Sequence, residues 1–347
     1  MAMGSVTWGA LSDALGRRST AIAALFTYAV GATLAMTASS LTVLFVARIV
    51  WGFGAGGSRV TTQAIVRDRY EGTAMARVMT LVQATFFFAP ITAPLIGSGL
   101  LALGSWRWIM GFGVVTAAIG LLWTTRFSES LPPERRRPLR IRPVLTGFAA
   151  VAKTPVTRWY GLSLMFGTAA FYSFLASTEF VFSSVYERED VFVWFFVGVS
   201  VFFASAAITM NRLLRRWEAR PLGIACGCWF LSFSTLILIV IALADGVPNF
   251  WLFVVIFGLT NAGHVAYIAV ANSLALQPMA AMAGTASAAL TFTSTTVGAV
   301  LGNQIDRRID DTIWALGIGY FVYAICAFSM QMLGVRASRA TSRESRP

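Results

Sequence analysis

The chain alternates between long apolar runs and short polar gaps. Ten runs, at about 19–37, 41–65, 78–102, 108–124, 159–184, 191–210, 222–244, 249–274, 281–304 and 312–334, are each long enough to cross a hydrocarbon core, which takes about 17–25 residues of helix. Backbone amides inside lipid must pair within their own segment, so the pattern predicts an all-α membrane protein of ten full transmembrane helices. The first 11 residues are apolar but too short to cross. They form an N-terminal stub. The gaps sort by charge. Those at 12–18, 66–77, 125–158, 211–221, 275–280 and the tail from 335 hold 21 of the 27 Lys and Arg. The alternate gaps hold four, Arg107, Arg188, Arg307 and Arg308, beside acids such as Glu187, Glu189, Asp190, Asp306, Asp310 and Asp311. Short basic loops stay in the cytoplasm, which puts the first set and the C-terminus there, in a multi-pass protein of the cell membrane.

Composition agrees. Only 12% of residues are charged and 57% are hydrophobic, whereas about a quarter of a soluble domain is charged; so few charges cannot cover a water-facing surface. The net charge of +12 taken alone suggests a nucleic-acid partner. The basic residues, however, sit in gaps too short to hold the folded domain such a partner needs. Cys226, Cys228 and Cys326 all lie within apolar runs. Two cysteines two residues apart point to different helix faces, so neither a metal site nor a disulfide framework is expected, and the three read as packing residues. No signal-peptide pattern of basic start and cleavage site is recognisable.

The gaps also set the domain organisation. Residues 1–124 form an N-terminal bundle, 125–158 a polar cytoplasmic linker, 159–334 a C-terminal six-helix bundle and 335–347 a cytoplasmic tail. The linker carries Ser128-Glu129-Ser130-Leu131-Pro132-Pro133-Glu134-Arg135-Arg136-Arg137-Pro138, whose arginine run suits anionic lipid headgroups. A weak repeat relates the halves: Asp13 with Arg17 and Arg18 aligns with Asn211 followed by Arg215 and Arg216. Two related halves with a midplane site between them is a common transporter plan.

The turn Gly9-Ala10-Leu11-Ser12-Asp13-Ala14-Leu15-Gly16-Arg17-Arg18 has its own logic. Gly9 and Gly16 permit a tight turn between close helices. Asp13 is suited to a helix N-terminus, and Arg17 and Arg18 to lipid phosphate. This decapeptide closely resembles the signature turn between helices two and three of the major facilitator superfamily. Arg48-Ile49-Val50-Trp51-Gly52-Phe53-Gly54-Ala55-Gly56 resembles the fourth-helix motif of that superfamily's drug/proton antiporters. Further stretches resemble the Bcr/CflA-type drug-resistance branch: Ala64-Ile65-Val66-Arg67-Asp68, Ala89-Pro90 with Ala93-Pro94 and Gly97, Leu131-Pro132-Pro133-Glu134-Arg135, and Ala283-Gly284-Thr285-Ala286-Ser287-Ala288. The resemblance implies a two-bundle fold of twelve helices. It makes the Gly9–Arg18 turn a conformational switch and Gly52, Gly54, Pro90, Pro94 and Gly284 helix-packing residues. On that plan Met1–Leu11 is the cytoplasmic end of the second helix, and the first helix and most of the second are absent. A misplaced start or a fragment is the preferred explanation over a genuine ten-span protein.

Charges within spans are functional candidates, since each costs roughly 2.5–3.5 kcal/mol to insert. Arg48 and Arg59 lie three turns apart on one helix face; the resemblance makes Arg48 the antiporter-motif arginine, while Arg59 can equally snorkel to headgroups. Glu179 and Arg48 each sit about 8–11 Å inside the outer end of their spans. The resemblance places both helices at the central cavity, so Glu179 is expected to attract cations or carry a proton with Arg48 as its charge partner; a wet carboxylate at the outer rim is the competing reading. His264, the single histidine, shares a side of its helix with Asn261 and Asn272. A neutral hydrogen-bonding strut is favoured over a proton relay. Gly298 and Gly302, four apart, allow close helix packing.

The expected function is export of hydrophobic or cationic small molecules by proton antiport, with aromatics such as Phe86, Phe87, Phe88, Trp194, Phe195 and Phe196 as minor candidates for apolar binding surface. The alternatives are a metabolite or amino-acid exporter of the same fold, or an inactive or partner-dependent truncated copy. A membrane enzyme would cluster His, Asp or Glu, and the spans hold no such cluster. The expected partners are the small-molecule substrate, protons as coupling ion and membrane lipids, with a monomeric protein, no cofactor, no metal and no nucleic acid.

Overall fold

The computed structural model describes residues 2–70, 78, 82, 92–132, 134, 136, 142–214 and 216–344. Every regular element among them is helical: α1 (Ala2–Leu15), α2 (Arg17–Met36), α3 (Leu41–Arg69), α4 (Thr92–Leu101), α5 (Arg107–Thr125), α6 (Arg142–Lys153), α7 (Pro155–Phe180), α8 (Glu189–Leu214), α9 (Ala219–Leu243), α10 (Phe250–Leu276), α11 (Ala283–Asp306) and α12 (Trp314–Glu344). Eight of them, α2, α3, α5, α7, α8, α9, α10 and α12, are long and apolar enough to cross a membrane. The expected span at 78–102 falls largely outside the described residues, with only α4 described as a continuous helix. The expected span at 281–304 is helical as α11, but Thr285, Ser287, Thr291, Thr293, Ser294, Thr295 and Thr296 keep it out of the apolar eight. The described residues therefore support eight spans where the pattern predicts ten. Helix also reaches into the polar segments. The linker region contains a helix, α6, and the segment from 335 continues α12 to Glu344.

The chain divides into two compact units, Met1–Val144 and Leu145–Pro347. In the first, α1, α3 and α5 pack against α2, and α1 also against α3, with glycines that bring backbones together. A Cβ on Gly31 would strike the Trp51 backbone, and one on Gly54 would lie 2.7 Å from the Ala24 carbonyl oxygen and from Tyr28 Cα. A Cβ on Gly4 would meet the carbonyl of Phe53, which also accepts a hydrogen bond from Trp8 Nε1 at 3.1 Å. Such approaches matter inside lipid, where apolar side chains gain nothing by leaving tails for protein and helices associate through close packing.

The second unit is held by aromatic packing. Phe174 lies within 5.4–6.3 Å, ring to ring, of Phe195, Phe196, Phe203 and Phe257, and Phe182 joins the cluster through Phe195 and Phe250. Phe195 and Phe196 are thus core residues rather than binding surface, whereas Trp194 is exposed; Phe86, Phe87 and Phe88 lie outside the described residues. Gly298 and Gly302 press α11 onto the backbone of α7 near Ala169 and Ser173. At its far end α7 widens into a π-helical turn, Val181–Val185. Cys226 is buried and Cys228 exposed, on different faces as their spacing requires.

Candidate functional site

The most elaborate polar constellation among the described residues lies in the first unit, at the turn joining α1 to α2. Gly16 has φ 99°, a left-handed value that other residues adopt only with strain. A Cβ there would also sit 2.5 Å from Glu129 Oε2, so glycine is needed twice over. Beyond it, Arg17 is buried and forms the hub. Its Nη1 donates to Asp13 Oδ1 at 2.5 Å and to Ser12 Oγ at 2.9 Å, and its Nε donates to Asp68 Oδ2 at 2.7 Å. Asp68 comes from the last turn of α3, so one guanidinium ties α1 to α3. The fork geometry is what arginine offers and lysine lacks.

Glu129, from the segment after α5, supplies the carboxylate for α2. Its Oε1 accepts from Arg17 N at 2.8 Å and its Oε2 from Arg18 N at 3.2 Å. Ser130 N and Leu131 N also donate to Oε1, each at 3.0 Å. The first amides of a helix have no intrahelical acceptor and carry the positive end of the dipole; Glu129 satisfies them from 112 residues away in sequence. Partial burial pushes its pKa up, but the backbone donors Leu131, Arg17, Arg18 and Ser130 outweigh it and hold the carboxyl below its ordinary value. Arg18 Nη2 closes the clasp on the Thr125 carbonyl at 2.8 Å.

These contacts revise the roles read from the turn. Asp13 lies in the last turn of α1, not at a helix N-terminus, and the capping anion is Glu129. Arg17 and Arg18 bond to protein groups rather than reaching out for lipid phosphate. Gly9 lies within α1, where a Cβ would meet Val60 of α3.

Arg48 is exposed on α3, its guanidinium 5.0 Å from the centroid of the Trp51 ring. That ring stands edge-on to Tyr28 and fills the space a Cβ on Gly113 would need. Arg59 is also exposed. Gly54 is buried and Gly52 half-buried; Pro94 is half-buried in α4. Pro90 lies outside the described residues, and of Gly284 only its place in the first turn of α11 is described.

In the second unit, Glu179 is exposed near the end of α7, two residues before the π-helical turn begins at Val181. It makes no hydrogen bond or ion pair among the described residues. It and Arg48 belong to different units. His264 and Asn261 are fully buried. His264 Nε2 lies 2.6 Å from the Gly167 carbonyl oxygen, and Phe230 stacks on the ring at 4.6 Å. Asn261 donates to the Phe257 carbonyl at 2.9 Å and accepts from Tyr320 OH at 3.1 Å, which also lies 3.1 Å from the Ala170 carbonyl oxygen. Tyr267 OH bonds Ser163 Oγ and the Ala327 carbonyl. Together these groups pin α10 and α12 to α7. Asn272, expected on the same stripe, is exposed.

Comparison with known proteins accords with this arrangement. The sequence profile described as Major Facilitator Superfamily matches residues 1–303. The chain belongs to that superfamily. Its helices therefore form a multi-pass membrane protein of a transporter family. Relatives include the bicyclomycin resistance protein homolog of Haemophilus influenzae, 26% identical over 90% of this chain and 78% of that protein. Multidrug resistance protein D of Escherichia coli is 27% identical over 81% of this chain and 70% of its own length. An uncharacterized MFS-type transporter of Bacillus subtilis is 28% identical over 54% of this chain, and the match spans 47% of that relative. These relatives agree with the resemblance to the Bcr/CflA-type branch. A crystal structure of a peptide transporter covers 97% of this chain and 84% of its own at a TM-score of 0.71 with 14% identity, a likeness of fold alone.

Proposed function

We propose that this chain is a secondary transporter that exports hydrophobic or cationic small molecules in exchange for protons. The observation that carries the reading is similarity across nine-tenths of the chain to a protein named for bicyclomycin resistance. The geometry supports a division of labour. The Arg17 clasp joins the ends of α1, α2 and α3 to the segment after α5, so these helices move together or the clasp opens. Glu179 is an exposed carboxylate within a span, and such a group is costly unless used; we assign it the attraction of cations or the carriage of the proton. His264 is a strut: Nε2 donates to the Gly167 carbonyl and the ring packs against Phe230. The ten-span count, the cytoplasmic C-terminus and a monomeric state belong to the same proposal, as does contact of the basic linker with lipid headgroups.

An efflux assay on Glu179→Gln in cells lacking competing pumps tests the central assignment. Transport is expected to fall, and its dependence on external pH to flatten. Unchanged transport with an unchanged pH profile would remove Glu179 from the mechanism.

A further inference from the structure

The second unit also contains a polar group that neither the strut nor the transport reading uses. Gln331, in the middle of α12, is fully buried, and neither polar atom of its amide has a hydrogen-bond partner among the described residues. The neighbouring helices make room for it. On α9, Gly223 and Gly227 are four residues apart. A Cβ on Gly227 would collide with Gln331 Oε1, and one on Gly223 would sit 3.2 Å from Gln331 Nε2. On the other side is α7, antiparallel to α12. Ala170 meets Tyr320, Ser163 meets Ala327, and Tyr160 meets Gly334, so Gln331 falls on the α7 face between the last two contacts. There the Tyr160 hydroxyl is buried and unpaired among the described residues, and so is Thr157 Oγ1, one turn earlier. Around them lie the apolar Val156, Leu164, Val270, Leu274 and Val335, and Arg220 at the start of α9 is within electrostatic reach of Tyr160.

Such groups stripped of water and left unpaired are strongly disfavoured. The amide has two donor hydrogens and an acceptor, and the phenol has one donor and an acceptor, so the set can be completed by a molecule that both donates and accepts. We infer that the junction of α7, α9 and α12 is a buried water-binding site, with the Gln331 amide and the Tyr160 hydroxyl as its principal ligands and Thr157 at its edge. Water fits this site by its chemistry. Internal waters typically make about three hydrogen bonds to groups that lack protein partners. An apolar ligand would leave all of the polar atoms unpaired, and an ion would find no charged side chain among these ligands. The two glycines of α9 then have a purpose beyond helix packing, since side chains there would displace the amide from the site.

Radiolytic hydroxyl labelling of the purified full-length chain tests this, because buried side chains beside a bound water are modified while dry ones are protected. Tyr267, equally buried but bonded to Ser163 and Ala327, is the internal control. Tyr160 is expected to be modified well above Tyr267, and Gln331→Met to abolish that difference. Tyr160 protected as fully as Tyr267 in the unaltered chain would overturn the inference, and this comparison stands even where the variant fails to fold. Thermal melting gives an independent sign. A bridging water makes Gln331→Met and Tyr160→Phe each lower Tm, with less than additive loss in the double variant. A higher Tm for Gln331→Met would mean that the amide is simply an unsatisfied group, and would also overturn it.

Discussion

At the residue scale, Arg17 and Glu129 hold the turn of the first unit together. Arg17 makes three charged or polar contacts with a side chain 9% exposed, so its replacement takes the guanidinium donor away from Asp13, Asp68 and Ser12. Arg17→Lys cannot reproduce the fork, and a loss of about 1.5–3 kcal/mol is expected in chemical or thermal unfolding, the range for hydrogen bonds to charged groups. Glu129→Ala removes the cap of α2 and is expected to cost about 1 kcal/mol at neutral pH. The sign with pH follows from the direction of its shift. A carboxyl whose pKa is lower in the folded state stabilises above its unfolded value and loses that contribution as pH falls through the folded one. The difference between Glu129→Ala and the unaltered protein should therefore be full above about pH 4.5 and shrink below it. Melting curves across that range would show it; a difference that grew on acidification would contradict the capping role. Sequence alone shows that the turn is special, and it does not show this residue. Glu129 stands in a polar stretch that reads as a linker, and its work depends on a contact across 112 positions. The role expected of Asp13 fails for the same reason: an acid beside a helix start is a local signal, and a distant acid already holds the place.

At the element scale, the glycines separate close packing from mere permissiveness. Gly54 lies against the α2 backbone, and a methyl group there has nowhere to go but into Ala24 and Tyr28. Gly54→Ala should destabilise the first unit by about 1–3 kcal/mol, as overpacking does. Gly97, within α4, has nothing within 4 Å of its Cβ position; Gly97→Ala should be neutral or stabilising by up to about 1 kcal/mol through helix propensity. Paired Tm measurements would check both. Apolar runs in the sequence reveal most of these helices, because lipid demands length and hydropathy that few soluble segments have. They do not separate core from lipid-facing aromatics. Phe195 and Trp194 are neighbours in sequence, yet one is buried against Phe174 and the other is exposed. Where the outer solvent is itself apolar, hydrophobicity no longer tells inside from outside. The same limit applies to α11, whose serines and threonines are compatible with a membrane helix but lower its hydropathy.

At the scale of the whole molecule, the family is legible in the sequence, since the turn and the order of motifs carry it. The coupling residues are a different matter. His264 is the clearest case: a single mid-span histidine suggests proton chemistry, and its buried contact with Gly167 supports a mechanical role. His264→Gln, which keeps a donor toward that carbonyl, is expected to leave the pH profile of transport unchanged. His264→Leu is expected to lower Tm without displacing that profile. A shifted profile in either variant would reassign the residue to proton transfer. Glu179 carries the opposite expectation, because it is exposed, ionisable and unpaired among the described residues.

The most direct test of proton-coupled export uses the purified chain in sealed liposomes loaded with an acidic buffer and diluted into a more alkaline one containing a fluorescent lipophilic cation. Outward proton flow should drive accumulation of the dye beyond protein-free liposomes, collapse with a protonophore and fail with Glu179→Gln. Dye uptake that ignores the imposed gradient, or that persists unchanged in Glu179→Gln, would contradict the account.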